Sequence, residues 1–169
     1  MKHIILIGFM GSGKSTYGKL IANKLGYSFV DTDCYIERKE GRSISDIFSD
    51  DGEEYFRSLE TEVLRELMQE DKPQVLSLGG GTPLRENNRK LMKSGYTIFL
   101  NITADDAYAR LKDDSTRPLL KVSDPKARIE ELLSIRNPLY EQAADYVLYE
   151  ENKTLDEVFY ELSEVVRKL

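Results

Sequence analysis

The chain has 169 residues, 40% of them hydrophobic and 32% charged, with a formal net charge of −6. That balance suits one globular domain around a single core and excludes a disordered chain. The acidic charge argues against nucleic acid as the main partner, no apolar run nears the ~18 residues of a spanning helix, and the lone Cys34 leaves neither an internal disulfide nor a zinc set.

From the N-terminus, Met1-Lys2-His3 enters a strand at once, and no targeting segment is visible. His3 to Ile7 is the short apolar run of a buried parallel strand. Gly8-Phe9-Met10-Gly11-Ser12-Gly13-Lys14-Ser15-Thr16 follows and fits G-x-x-x-x-G-K-[ST]. Tyr17, Leu20, Ile21 and Leu25 then recur at helical spacing, with Gly26 as a left-handed stop. Strand, glycine loop and helix are the context that makes this motif a P-loop. Backbone amides of Gly11, Ser12, Gly13, Lys14, Ser15 and Thr16 can cradle phosphates at the helix start. Lys14 reaches the β- and γ-phosphates, and the Ser15 hydroxyl can hold Mg²⁺. The chain is therefore expected to bind a nucleoside triphosphate.

Ser28-Phe29-Val30 reads as a second strand, ending in Asp31-Thr32-Asp33. Residues two apart share a strand face, so both carboxylates can point toward the P-loop. Asp31 could hold the Mg²⁺ shell and Asp33 could take a proton from an acceptor hydroxyl. Alternatively, Asp33 caps a helix from Tyr35. Cys34, beside two aspartates, is read as an unreactive thiol in a reducing cytosol.

Gly41 ends that helix. Ser43 and Asp46 look like a capping box for a short helix bearing Ile44, Ile47 and Phe48. A longer helix carries Tyr55, Phe56, Leu59, Val63, Leu64, Leu67 and Met68. By local pattern Arg57 makes a surface ion pair with Glu53 or Glu60. Val75 to Leu78 is a third strand running into Gly79-Gly80-Gly81, whose backbone can approach a ligand closely. Residues 84–93 form a helix ending at Gly95, and Tyr96 to Ile102 is a fourth strand. Thr103 and Asp106 cap a helix bearing Arg110 near its end.

Residues 112–120 are polar, contain Pro118 and lack any period, as in a lid; Arg117 there is either a phosphate contact or a linker arginine. Asp124-Pro125 starts a helix whose stripe Ile129, Leu132, Leu133 leads to Arg136, and Pro138 is expected to end it. A guanidinium on that stripe needs an anion, or must snorkel or pair with a buried carboxylate. Ala144 to Tyr149 is a fifth strand. Thr154 and Glu157 box the last helix. Five strands separated by helices predict an α/β three-layer fold with a parallel sheet.

A GTP switch is excluded: Asn23-Lys24 and Asn152-Lys153 lack the following x-Asp, and no glycine has Asp three residues before it. A small-molecule kinase needs a P-loop, a base, a pocket and a lid, and each has a candidate. The chain then resembles the shikimate kinase family, within the nucleoside monophosphate kinase-like P-loop group. The resemblance rests on Gly8-x-x-Gly11-x-Gly13-Lys14-Ser15-Thr16-x-Gly18, Asp31-Thr32-Asp33 with Ile36-Glu37, and Gly41-Arg42-Ser43-Ile44. It continues through Phe56-Arg57-x-x-Glu60, Gly79-Gly80-Gly81, Arg117-Pro118-Leu119-Leu120 and Arg136-x-Pro138-x-Tyr140. Leu78 departs from it, standing where members often carry threonine.

The resemblance implies a P-loop NTPase fold over residues 1–169, with a lid at roughly 112–124 and a substrate-binding helical region at roughly 33–60. It implies that Asp33 binds shikimate hydroxyls and assists deprotonation, and that Arg57 and Arg136 clamp the carboxylate. Gly79, Gly80 and Gly81 contact the ring hydroxyls through their backbone. Arg117 meets ATP phosphates, Arg110 packs on adenine, and Ser15 with Asp31, through water, forms the Mg²⁺ site. The implied partners are shikimate and ATP, with no nucleic acid or membrane, for a monomer in the cytoplasm. Alternatives are a gluconate-type kinase on the same scaffold and a nucleotide-binding regulator without turnover.

Overall fold

Five short strands carry the molecule in the computed structural model, which describes residues 2–114 and 121–169. They are β1 (Ile4–Ile7), β2 (Ser28–Asp31), β3 (Gln74–Ser77), β4 (Tyr96–Asn101) and β5 (Tyr146–Tyr149). All pair in parallel in the order β2-β3-β1-β4-β5. Between them run α1 (Lys14–Leu25), α2 (Thr32–Glu40), α3 (Ile44–Leu67), α4 (Glu86–Met92), α5 (Ala104–Leu111), α6 (Pro125–Ala143) and α7 (Leu155–Arg167), with a 3₁₀ turn at Thr82–Leu84.

The layers follow from strand alternation. Ile5 and Ile7 face a core built with Ile36, Val63, Leu64, Leu76, Phe99 and Tyr140. Ile4 and Leu6 face the opposite core, with Tyr17, Ile21, Leu148, Val158 and Leu162. Both faces of β1 are buried, so its sequence is continuously apolar rather than alternating. A third cluster, Phe9, Ile102, Leu111, Ile129 and Leu133, packs α5 and α6 beyond the carboxyl edge of the sheet.

The expected helix ends hold at Gly26 and Gly41, both left-handed with φ +69°. The expected short and long helices appear as α3 broken at Gly52, φ +85°. The Thr154–Glu157 box is complete on α7. The predicted helix over residues 84–93 is smaller, a 3₁₀ turn followed by α4.

Pro138 does not end α6, which continues to Ala143. Proline forfeits one hydrogen bond to the preceding turn, but Tyr140 beyond it is fully buried and donates to Gly80 O at 2.6 Å. Burial of that ring against Phe99 holds the helix past its breaker. His3 is structural: Nδ1 accepts from Gln74 N and Nε2 lies 3.2 Å from Glu70 O.

Register sets the site. Leu6 pairs with Ser77 and Ile98, and Asp31 pairs with Ser77, so β1, β2 and β3 end side by side. The glycine loop, the Asp31–Asp33 segment and the three consecutive glycines all leave the sheet at that edge, where parallel α/β sheets take their ligands.

Candidate active site

The loop after β1 is shaped for an anion. Gly11 and Gly13 both take φ +82°, a backbone region closed to most side chains. Gly13 is the N-cap of α1 and offers no side-chain cap. The first amides of the helix, from Lys14 onward, are thus left to face the loop, where the positive end of the helix dipole adds to them. Lys14 Nζ folds back over the loop and donates to Gly8 O at 2.8 Å and Phe9 O at 3.1 Å. Ser12 is buried within the turn, its amide donating to Phe9 O, and Thr16 lies in the first turn of α1.

Ser15 reaches the end of β2. Its hydroxyl donates to Asp31 Oδ2 at 2.7 Å, while Asp31 Oδ1 accepts from the amides of Asp33 and Cys34. Asp31, rather than Asp33, is therefore the N-cap of α2, which starts at Thr32. The reason is geometric: a cap accepts from amides two and three residues on, and only Asp31 precedes the first helical residue. Asp33 is thereby released from capping and carried on the first turn. A hydroxyl and a carboxylate meeting beside a phosphate loop form the oxygen donor set that a hard divalent cation takes.

The Cys34 thiol is exposed and its pKa is raised, first by partial burial and then by Asp31, Glu37 and Asp33. That agrees with the unreactive thiol expected.

The three glycines after β3 bring the remaining candidates together. A Cβ at Gly79 would lie 2.7 Å from Asp33 Oδ1 and 2.9 Å from Glu60 Oε1. One at Gly80 would lie 3.2 Å from Arg136 Nη1 and 3.6 Å from the carbonyl oxygen of Gly8, on the phosphate loop. One at Gly81 would fall on the Arg57 guanidinium. A side chain at any of these positions would press on Asp33 and Glu60, on Arg136 or on Arg57, so glycine leaves that space to them. The segment is anchored from below: Gly79 N donates to Thr32 Oγ1, which donates to Ser77 O.

The two arginines sit in different electrostatic settings. Arg57 Nη1 donates to Glu60 Oε2 at 2.8 Å and Nη2 to Glu53 Oε1 at 3.4 Å. The expected ion pair exists with both partners, but only its Glu53 arm is a surface pair. Glu60 is 3% exposed, and its other oxygen accepts from Thr82 Oγ1. Burial pulls the Arg57 guanidinium toward deprotonation, and Glu60 and Glu53 outweigh it, so its pKa ends above the ordinary value.

Arg136 is 6% exposed, above the Phe9 ring at 5.9 Å, and no carboxylate pairs with it among the described residues. A buried guanidinium without a counter-charge is costly unless an anion arrives. A cavity of about 400 Å³ opens on the Arg57 side of the glycine segment, lined by Glu53, Glu54, Arg57, Gly81, Leu84 and Arg85 but not by Arg136.

Arg110 lies on the other side of the phosphate loop. Its Nη1 donates to Gly11 O at 2.6 Å, and both Nη atoms donate to Glu150 Oε2 at 3.2 Å. Arg117 lies outside the described residues.

A family model described as shikimate kinase matches residues 10–167. The chain belongs to the shikimate kinase family. The shikimate kinase of Thermodesulfovibrio yellowstonii is 48% identical over 159 residues, covering 94% of this chain and 91% of that one. The shikimate kinase of Acinetobacter baumannii, solved in complex with shikimate, superposes with TM-score 0.88 at 37% identity, covering 99% of this chain and 92% of that one. The shikimate kinase of Aquifex aeolicus gives 0.81 at 37% identity, with 98% and 96% covered. A gluconokinase from Sinorhizobium meliloti, at 20% identity and TM-score 0.59, shares the fold alone, with 99% and 96% covered. A shikimate kinase transfers a phosphoryl group from ATP to a shikimate hydroxyl, and this chain is such an enzyme.

Sequence reasoning gave no role to Tyr140 or Glu150 in this shikimate kinase site, and read Glu60 only as a surface partner of Arg57. Glu60 holds Arg57, Tyr140 donates to the carbonyl of Gly80, and Glu150 holds Arg110. Glu60 left a signal, a carboxylate at the stripe position beside Leu59 on an apolar helix face. Glu150 left a weaker one, an acidic residue directly after β5 at the ligand edge of the sheet.

Proposed function

We propose that the site works as a two-sided clamp, with ATP on the loop Gly8 to Thr16 and shikimate over Gly79 to Gly81. The observation that carries this reading is Arg136, a buried guanidinium without a carboxylate partner among the described residues, in reach of the same glycine segment as Asp33 and Arg57. An acid with one carboxylate supplies the counter-charge that Arg136 lacks, and its ring hydroxyls then face the glycine backbone and Asp33. Arg57, already neutralised by Glu60, contributes a directed donor more than net charge.

Asp33 orients the acceptor hydroxyl and takes its proton as that oxygen bonds to the γ-phosphorus. The bridge to the β-phosphate breaks and ADP departs. Lys14 and the first amides of α1 draw off charge as it builds on the phosphoryl oxygens. Ser15 and Asp31 would hold Mg²⁺, which would neutralise phosphate charge when bound. Arg110 contributes to the nucleotide site from the far side of the loop. Arg117 is assigned to the ATP phosphates on the resemblance alone, and Arg117→Ala should lower turnover by roughly 10³-fold. Among the described residues no helix is long and apolar enough to cross a membrane; action as a monomer in the cytoplasm is part of the same proposal.

ADP release from MgATP tests the reading, with shikimate, gluconate and a nucleoside monophosphate as acceptors. Release with shikimate alone is expected. Release with gluconate instead would overturn it, and ATP binding with no release for any acceptor would leave a regulator.

A further inference from the structure

Glu150 is a buried carboxylate that the phosphoryl-transfer chemistry does not use. It follows β5 directly, and its backbone is fixed on both sides, N donating to Asn101 O and O accepting from Lys153 N. Its side chain is 1% exposed. Oε2 receives both Nη atoms of Arg110, while Oε1 has no hydrogen-bond partner among the described residues. The Tyr17 hydroxyl on α1 is likewise buried and unpartnered among them.

Arg110 passes this anchorage to the phosphate loop. Its Nη1 donates to Gly11 O, and the other end of the same peptide unit, Ser12 N, donates to Phe9 O at 3.1 Å. One peptide of the loop is thus held at both ends. Its orientation governs which way the neighbouring amides face, and Leu111 packs close enough that a Cβ at Gly11 would lie 3.3 Å from its Cγ.

We propose that Glu150 is a positioning residue for the nucleotide: ionised, it holds Arg110 on the Gly11–Ser12 peptide and keeps the loop amides aimed at phosphate; protonated, it releases that hold. This rests on the reading of the loop as the ATP site. The groups facing Glu150 are Arg110 and Asp106 from α5, and Lys14 and Tyr17 from α1. Burial pushes its carboxyl up to about 7 against the pull of Arg110; Asp106 adds to the rise and Lys14 opposes it. The switch therefore operates near neutrality, with nucleotide affinity falling as pH falls through that region.

The test is the Kd of MgADP and of shikimate, by calorimetry on the intact chain from pH 6 to 8.5, for wild type, Glu150→Gln, Arg110→Ala and Lys14→Ala. Glu150→Gln should bind MgADP about tenfold more weakly than wild type at pH 8, the scale of one charge-assisted hydrogen bond. The ratio of the two Kd values should approach one at pH 6, and using the ratio cancels titration of the nucleotide itself. Shikimate affinity should stay within about twofold. Arg110→Ala removes the same link together with the arginine's own contribution to the nucleotide site, so its ratio should stay above one at pH 6 and still grow toward pH 8, which preserves the test if Glu150→Gln does not fold.

A ratio of one at every pH, a ratio independent of pH, or equal losses for MgADP and shikimate would overturn the proposal. Lys14→Ala separates the two levels of inference. If it binds MgADP like wild type, the reading of the loop fails. If it binds weakly while the Glu150→Gln ratio stays at one, only the role of Glu150 fails.

Discussion

The Arg57 guanidinium fills the space that a side chain at Gly81 would occupy. The obstacle is the far end of a flexible side chain, so a methyl group at Gly81 displaces the arginine rather than the backbone. Gly81 has φ −87°, which alanine adopts freely. Gly81→Ala should therefore lose less than about 1 kcal/mol of stability while kcat/KM for shikimate falls roughly a hundredfold. Thermal unfolding and steady-state kinetics check the pair of results, with the KM for ATP little altered.

Arg136→Met should separate stability from binding. The free protein buries this charge without a carboxylate partner among the described residues. Replacing it with an apolar side chain should leave the melting temperature equal or raised. Shikimate loses its counter-charge, and its Kd should rise by about two orders of magnitude. A destabilised variant with unchanged shikimate affinity would show that Arg136 is only a structural residue.

Glu150 also makes stability depend on pH. Its carboxyl is raised from the ordinary 4.5 to about 7 in the folded state, chiefly by burial. A raised folded-state pKa means the folded state holds the proton more tightly. The contribution is fully present below the unfolded value and is lost as pH rises through about 7. Wild type should thus lose stability relative to Glu150→Gln between pH 5 and 8, by about 1–3 kcal/mol. Melting curves of both proteins across that range give the difference directly, and a flat difference would place the ionisation elsewhere.

Asp31 has two duties that Asp31→Asn divides. Asparagine retains a carbonyl oxygen for the amides of Asp33 and Cys34, so α2 stays capped. It removes the negative charge that faces Ser15 Oγ. Stability should hold within about 1 kcal/mol, while the Mg²⁺ concentration for half-maximal activity rises 10- to 100-fold, roughly the range for groups that support metal ligands.

What could be read from the sequence was local. The run Ile4–Ile7, the glycine motif and the stops at Gly26 and Gly41 each act through neighbouring residues, and each formed as expected. Pro138 was misread because its local rule lost to a distant contact, the burial of Tyr140 against Phe99 and Gly80. The cap of α2 is Asp31 and not the alternative Asp33; two carboxylates spaced two apart satisfy the same pattern, and only the strand end decides between them. Arg57 looked like a surface residue because nothing local shows that Glu60 is covered by Thr82, 22 residues on. Arg110 and Glu150 are 40 residues apart, on elements that meet only after β4 and β5 pair.

The most direct test of the account compares turnover of shikimate with that of its decarboxylated cyclohexenetriol analogue, in wild type and Arg136→Met. If Arg136 exists to meet the carboxylate, removing either partner should cost about the same, and removing both should cost little more than removing one. Independent losses that multiply in the doubly altered case would contradict the clamp and place the carboxylate elsewhere.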